Sequence, residues 1–243
     1  MKNLYPAAVR AAVEELKKGR FVFIYDHPER EGETDFIMAA EFATASSIRQ
    51  MRKYGGGLIF LAVASELQDK FCLPYMTDVY NSSSKEYSLL SYLNPYDIPY
   101  DNKSSFSLTI NHRKTYTGIT DRDRAMTVSE FAHLSKRVLL ENIESERAMV
   151  LLGEAFRSPG HVPICIANKE PLVRRFGHTE LSIALLKIAG LTPVAVGCEM
   201  MGDDDKALPP EQAALYAADN NSVFLEGREI IEAFRIYREY VKN

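Results

Sequence analysis

The sequence contains a nearly continuous apolar run of strand length, Leu58-Ile59-Phe60-Leu61-Ala62-Val63-Ala64. Such runs are typical of strands that are buried on both faces of a sheet. On either side of this run, strand-like and helix-like segments interleave along the chain, and no break in composition divides it. This pattern predicts a single α/β (α+β) domain, spanning residues 1–243, with a mixed sheet flanked by helices. The predicted strands are 20–25, 36–42, 58–64, 106–111, 162–167 and 194–200, and the predicted helices are 5–18, 44–54, 127–140, 179–189 and 226–241.

The composition is that of an ordinary folded protein. Of 243 residues, 46% are hydrophobic and 26% are charged, and the net charge of −4 argues against a nucleic-acid binder, whose usual mark is a strongly basic domain. The three cysteines are widely spaced and form no Cys-x-x-Cys pair, so they are expected to be core residues and not zinc ligands. No stretch of ~18 apolar residues and no signal-peptide core occurs. We therefore expect no membrane partner and a cytoplasmic location.

One segment departs from the alternating pattern. The residues from Pro74 to Ser105 hold six of the thirteen tyrosines and the run Ser82-Ser83-Ser84. A stretch of this length predicts an irregular excursion within the domain, with aromatic side chains that pack against the rest of the protein.

An acidic segment follows the first predicted strand, Asp26-His27-Pro28-Glu29-Arg30-Glu31-Gly32-Glu33-Thr34-Asp35. In an extended chain Glu31, Glu33 and Asp35 project to one side, where they repel one another unless a cation neutralises them. Mg²⁺ binds through one or two carboxylates and fills its other positions with water or substrate oxygens. The alternative is a solvated acidic turn, which charge runs more often form.

A second polar group precedes the helix predicted at 179–189, Arg174-Arg175-Phe176-Gly177-His178-Thr179-Glu180. Thr179 is a suitable N-cap, and arginines beside a helix N-terminus are typical of a phosphate site. His178 lies where a metal ligand could meet a phosphorylated substrate. An ordinary capped helix with surface arginines explains the same pattern.

Two further polar positions border predicted strands. His161 ends the turn Arg157-Ser158-Pro159-Gly160-His161 and could act as a general acid or base, or as a hydrogen-bonded turn residue. Glu199 interrupts the apolar strand 194–200. A buried carboxylate there is costly unless paired or protonated, and such groups often transfer protons; a strand-end glutamate that faces solvent is the alternative.

With these segments in order, the chain resembles the 3,4-dihydroxy-2-butanone 4-phosphate synthase family of riboflavin biosynthesis. The resemblance covers most of the chain and rests on five segments: 26–35, Thr117-Gly118-Ile119-Thr120-Asp121-Arg122-Asp123-Arg124, 157–162, 175–180 and Val196-Gly197-Cys198-Glu199-Met200. It implies a Mg²⁺-dependent lyase that converts D-ribulose 5-phosphate to 3,4-dihydroxy-2-butanone 4-phosphate and formate. It also implies a homodimer with its active sites near the subunit interface, in a fold peculiar to the family. A histidine beside a carboxylate would also suit Mn²⁺.

The resemblance also implies roles for individual residues. The metal ligands would be Glu31 and His178, and the catalytic residues would be His161, Glu199 and Glu33. Asp26 and Thr120 would lie at the same site. The substrate-binding residues would be Arg30, Glu31, Asp35, Arg175, Gly177, His178, Thr179 and Glu199.

Some features depart from the family or leave alternatives open. Phe60 stands where many relatives have a cysteine, and the 74–105 excursion is longer than in many bacterial members, so no role is assigned within it. Some relatives carry a fused GTP cyclohydrolase domain, whereas this chain ends at Asn243 without a cysteine zinc cluster and is expected to be monofunctional. The alternatives are a metal-dependent pentulose-phosphate isomerase or epimerase, and a non-catalytic relative that binds a phosphorylated ligand or RNA.

Overall fold

The computed structural model describes residues 4–241, and in this part of the chain seven strands form one mixed sheet. Their order across the sheet is β4-β5-β3-β6-β2-β1-β7. The β1–β7 and β3–β5 pairs are parallel, and the other neighbouring pairs are antiparallel. The strands are β1 Val22–Tyr25, β2 Thr34–Ala39, β3 Phe60–Val63, β4 Phe106–His112, β5 Phe156–Ile166, β6 Val194–Glu199 and β7 Val223–Glu226.

Helices cover both faces of the sheet. One face packs against α1, α7 and α9, and the other packs against α2, α3, α5, α6 and α8. No helix within residues 4–241 has the length and apolar character needed to cross a membrane. The helices are α1 Ala7–Lys17, α2 Ala45–Gln50, α3 Ser65–Phe71, α4 Met76–Ser83, α5 Asp121–Leu140, α6 Ser145–Ala155, α7 His178–Ala189, α8 Pro210–Asp219 and α9 Gly227–Val241.

The central strand β3 is buried on both faces, as its apolar sequence predicts. Leu61 and Val63 belong to one core, and Phe60 and Ala62 belong to the other. Successive side chains of a strand point to opposite faces, so a strand between two helical layers needs apolar residues at every position. The prediction of a mixed sheet flanked by helices is confirmed.

Three polar segments differ from their predicted secondary structure. The strand β2 begins at Thr34, so Asp35 lies inside the sheet. The segment from Arg157 to His161 is part of β5 and not a turn, because β4 continues to pair with it as far as the His112–Phe156 position. The helix α5 begins at Asp121, where the Thr120 side chain accepts the backbone N–H of Asp123.

The 74–105 excursion is more regular and less packed than its sequence suggests. It contains α4 and a short 3-10 helix, Ser88–Tyr92. From residue 93 to residue 105 it has neither helix nor strand. Several of its aromatic side chains are open to solvent, with Tyr92 82% and Tyr96 88% exposed. Its C-terminal end runs along the cavity described next.

Candidate functional site

The acidic segment between β1 and β2 folds around the side chain of Asp26. This buried carboxylate accepts the backbone N–H groups of Glu31, Gly32 and Glu33 at 3.2, 3.1 and 3.2 Å. Gly32 has φ +66°, a conformation that glycine adopts without steric cost. The segment is therefore an ordered turn and not the solvated acidic run of the alternative interpretation. Its order fixes the direction of the Glu31 and Glu33 side chains.

His178, the first residue of α7, connects this turn to the helix. Its Nε2 lies 3.1 Å from the carbonyl oxygen of Ile24 and 3.2 Å from that of Glu33. Because a carbonyl oxygen can only accept, Nε2 carries a hydrogen. Its other nitrogen, Nδ1, lies 3.2 Å from Oε2 of Glu31. The two backbone contacts thus hold Nδ1 toward the carboxylate.

This pair suits a divalent cation. When the imidazole is neutral, the lone pair of Nδ1 faces the negative oxygen of Glu31, an arrangement that needs a proton or a cation between the two atoms. Adjacent ligands of an octahedral Mg²⁺ lie about 2.9 Å apart, close to the observed 3.2 Å. Asp26 also lies within ligating distance of the pair, but backbone N–H groups already occupy its oxygens. Glu31 and His178 are therefore the candidate metal ligands.

The surrounding charges favour a cation at the same place. Burial alone lowers the pKa of His178, but Asp35 and the hydrogen bond with Glu31 outweigh this effect and raise it to about 10. Burial raises the pKa of Asp35 well above its usual range, and Oδ1 of Asp35 has no hydrogen-bond partner. Burial and repulsion from Glu31 also raise the pKa of Glu33. The carboxylates here outnumber the positive charges that could balance them.

Glu199 faces this cluster from the end of β6. It pairs across the sheet with Asp35, so the two side chains lie on the same face. Oε2 of Glu199 accepts the backbone N–H of Leu58 at 2.7 Å, and burial raises the pKa of this carboxyl. A Cβ on Gly57 would lie 2.4 Å from the same oxygen, so the glycine leaves room for the carboxylate. Glu199 does end a strand, but it lines a cavity.

Two arginine side chains lie beside the N-terminus of α7. Gly177 is the N-cap, with no side-chain cap, so the prediction of Thr179 as N-cap is wrong. Arg175 donates hydrogen bonds to Glu180 and to Asp101. Arg174 is largely exposed and pairs with Glu170, so the segment contributes one arginine and not two.

The second arginine comes from the acidic turn. The side chain of Arg30 lies near Asp26, Glu31 and Asp101, at distances of 3.6, 3.5 and 3.7 Å. A Cβ on Gly177 would lie 2.8 Å from Nη2 of Arg30 and 3.1 Å from Nη1 of Arg175. Gly177 therefore allows both guanidinium groups to approach the start of the helix.

These groups line one cavity of about 260 Å³, which suits a small polar metabolite better than a drug-sized ligand. Eight residues predicted from the sequence meet there: Arg30, Glu31, Glu33, Asp35, Arg175, His178, Thr179 and Glu199. Six others complete the lining and carried no signal in the sequence as site residues: Leu58, Phe60, Tyr100, Ser105, Phe106 and Cys165.

His161 does not line this cavity. Its ring Nδ1 accepts from the Asn111 amide at 3.0 Å, and its backbone N–H donates to Oδ1 of Asn111 at 2.9 Å. The same asparagine lies against Gly118, in the Thr117–Thr120 segment. His161 and Thr120 are both exposed. Together His161 and the segment Thr117–Thr120 form a second polar surface, called here the His161 surface.

The comparisons with known proteins agree with one another. The family model for 3,4-dihydroxy-2-butanone 4-phosphate synthase matches residues 10–233. The enzyme of that name from Methanothermobacter thermautotrophicus is 45% identical over 231 residues, which are 95% of this chain and 97% of the relative. The one from Methanosarcina mazei is 41% identical over 232 residues, 94% of this chain and 92% of the relative.

A solved structure of a synthase of this name in complex with two magnesium ions has the same fold, with a TM-score of 0.68 and 23% identity over 90% of this chain and 92% of that one. All of these comparisons name the same enzyme family. They confirm the resemblance drawn from the motifs. The chain belongs to the 3,4-dihydroxy-2-butanone 4-phosphate synthase family and is a lyase of riboflavin biosynthesis.

Proposed function

We propose that the cavity converts D-ribulose 5-phosphate to L-3,4-dihydroxy-2-butanone 4-phosphate and formate. The observation that carries this proposal is the juxtaposition of a carboxylate–imidazole pair, Glu31 and His178, with an arginine-flanked helix N-terminus. The pair suits a cation that binds the ketone end of a sugar, and the helix terminus suits a phosphate. A pentulose phosphate carries both groups.

The cation is proposed to be Mg²⁺, held by Glu31 and His178; Mn²⁺ also suits a histidine beside a carboxylate. Support comes from the arrangement of Nδ1 and Oε2, and from the magnesium ions in the related solved structure. When bound, the cation would act as a Lewis acid that stabilises negative charge on the ketone and a neighbouring hydroxyl oxygen.

The phosphate is proposed to bind at the start of α7. Arg175 would pair with its oxygens, and the backbone N–H groups at His178 and Thr179 point out of an uncapped helix N-terminus. Arg30 and Asp35 line the cavity between this end and the metal ligands, where they would contact the sugar.

The proton transfers are assigned to the remaining carboxylates. Removal of the proton next to the ketone gives an enediolate, loss of the C1 hydroxyl needs an acid, and formate release after the skeletal rearrangement needs an activated water. Glu199 and Glu33 line the cavity without a lysine or arginine partner among the described ion pairs. They are therefore the groups proposed to exchange protons with the substrate.

His161 enters this scheme through a homodimer. If it supports the acid–base steps, as the resemblance implies, it has to reach a cavity that its own chain does not place it in. Two copies related by a twofold axis contact each other through the same surface. The His161 surface of one subunit would then complete the cavity of the other, and exposed side chains at each, Ile119 on one and Leu58 on the other, would become buried. A cytoplasmic location stays a prediction, which cell fractionation would test.

Formate release is the measurement that tests this function. We expect the protein to release formate from D-ribulose 5-phosphate with Mg²⁺ and to lose this activity in excess EDTA, with recovery when Mg²⁺ is restored. If the substrate's C3 proton exchanges with solvent in a metal-dependent way and no formate appears, the isomerase or epimerase alternative is correct. Folded protein with neither signal would indicate the non-catalytic alternative.

The variant Gly177→Ala tests the position of the phosphate. The backbone of Gly177, with φ −81°, suits alanine, but the added methyl group displaces the Arg30 and Arg175 guanidinium groups. We expect a folded protein with a rise of about tenfold in KM for ribulose 5-phosphate, the effect of losing one charge-assisted hydrogen bond. Gly153→Ala is the control, because its Cβ would meet no atom within 4 Å. An unchanged KM in Gly177→Ala would place the phosphate elsewhere.

A further inference from the structure

Arg175, which is proposed to bind the phosphate, and the neighbouring Arg30 already hold an anion that belongs to this chain. Asp101, at the end of the 74–105 excursion, accepts a hydrogen bond from Nε of Arg175 through its Oδ2. The same oxygen lies 3.7 Å from Nη2 of Arg30. The Asp101 carboxylate is thus shared between the two guanidinium groups and balances their charge inside the cavity wall.

A substrate phosphate and Asp101 compete for these groups. A phosphate at the start of α7 would bring nearly two negative charges beside Asp101, in a region where burial strengthens repulsion. Arg175 has a second carboxylate partner, Glu180, but this residue is fully buried within α7 and also accepts the backbone N–H of Asn168 at 2.9 Å. Glu180 is therefore held in place inside the protein, whereas Asp101 lies in a segment without helix or strand.

The backbone of that segment is irregular. Residues 93–105 form neither helix nor strand, and much of the stretch before Asp101 is exposed, as at Leu93 and Tyr96. The guanidinium carbon of Arg30 lies over the Tyr100 ring, 5.7 Å from its centroid, and Tyr100 lines the cavity. Release of Asp101 would therefore also shift an aromatic wall of the site.

We propose that Asp101 is a built-in competitor of the substrate phosphate. It occupies Arg30 and Arg175 in the free enzyme and leaves them when the phosphate binds, so that residues 93–105 move as the substrate enters. This inference rests on the proposed function, because it takes the start of α7 as the phosphate site.

The test is the variant Asp101→Asn, which removes the charge and keeps the shape. If Asp101 occupies the arginines in nine of ten molecules, its removal tightens anion binding about tenfold. We expect calorimetry to show this decrease in the Kd for inorganic phosphate. Asp101→Ala should lower the Kd by a similar factor. Asp97→Asn, an exposed charge change in the same segment, should leave Kd unchanged. Hydrogen exchange of residues 93–105 should rise on phosphate binding in the unaltered protein and be high from the start in Asp101→Asn.

Two other results overturn the inference. Weaker phosphate binding in Asp101→Asn would make Asp101 a residue that orients Arg175 for the substrate, and unchanged binding with unchanged exchange would make the contact structural. In both cases formate release by the unaltered protein would still support the proposed function. Absence of both phosphate binding and formate release would defeat the proposed function together with the inference.

Discussion

Glutamine in place of Glu199 is expected to lower formate release by about 10²–10⁴-fold, the usual effect of losing a positioned proton-transfer group. The two side chains have the same shape, and the amide oxygen of glutamine can still accept the Leu58 N–H that holds Oε2 of Glu199. The fold and the cavity should therefore stay intact. Only the ability to take and return a proton is lost.

Comparing substrate affinity with the rate of formate release separates a role of Glu199 in proton transfer from a structural role. We expect the Kd of ribulose 5-phosphate, measured by calorimetry with Mg²⁺, to stay within a few-fold of its original value in Glu199→Gln, since uncharged contacts remain. Glu29→Gln, an exposed position in the acidic turn, is the matched control and should keep full activity. Full formate release by Glu199→Gln would contradict the assignment. Solvent exchange of the substrate's C3 proton, measured in the same variant, reports whether Glu199 acts in the first step or later.

The fold was predictable where the sequence pattern is long and regular. The apolar run from Leu58 to Ala64 has the length and composition of a doubly buried strand, and the Gly190 stop after α7 is a common helix C-terminus. The strand β7, Val223–Glu226, was not predicted, because four residues are too few to show a hydrophobic period. Its pairing partner β1 also lies 201 positions earlier in the chain. The helices α3, α6 and α8 were missed as well: α3 is short, and α6 buries a single residue, Ala148.

Site residues that lie close together in the sequence were predictable, whereas those that only the fold brings together were not. Glu31, Glu33 and Asp35 lie within one short segment, so their alternation indicated a common side. Tyr100 lines the cavity beside Arg30, 70 positions away, and Asp101 binds Arg175, 74 positions away; no motif surrounds either residue. The Thr179 prediction failed because Gly177, in an extended conformation, is the N-cap, and the helix begins at His178, one residue before the threonine that resembled a cap. His161 carries a motif, but one chain holds it against Asn111, and only in the proposed homodimer does its approach to the cavity depend on a second subunit.

If each cavity needs His161 from the other subunit, two inactive variants should restore activity when they form a mixed dimer. His161→Ala alone is expected to lose about 10²–10⁴-fold in rate, like Glu199→Gln. In a twofold dimer with shared sites, a mixed dimer of the two variants has one cavity with both defects and one with none. Mixed dimers, isolated through two different affinity tags, are therefore expected to regain about half of the original activity. His133→Ala, an exposed histidine of α5, is the control: it should keep full activity on its own and about half in a mixed dimer with Glu199→Gln, where one cavity stays intact.

A second mixed dimer also distinguishes sites shared between subunits from sites that each chain completes alone. A mixed dimer of the unaltered chain with the double variant Glu199→Gln/His161→Ala has one defect in each cavity if the sites are shared, and is expected to be nearly inactive. If each chain completes its own site, that dimer keeps one intact cavity and about half the activity, and the two single variants do not rescue each other. The second pattern would contradict the shared site, because His161 would then have to reach Glu199 within one chain, where the structure instead holds its ring against Asn111.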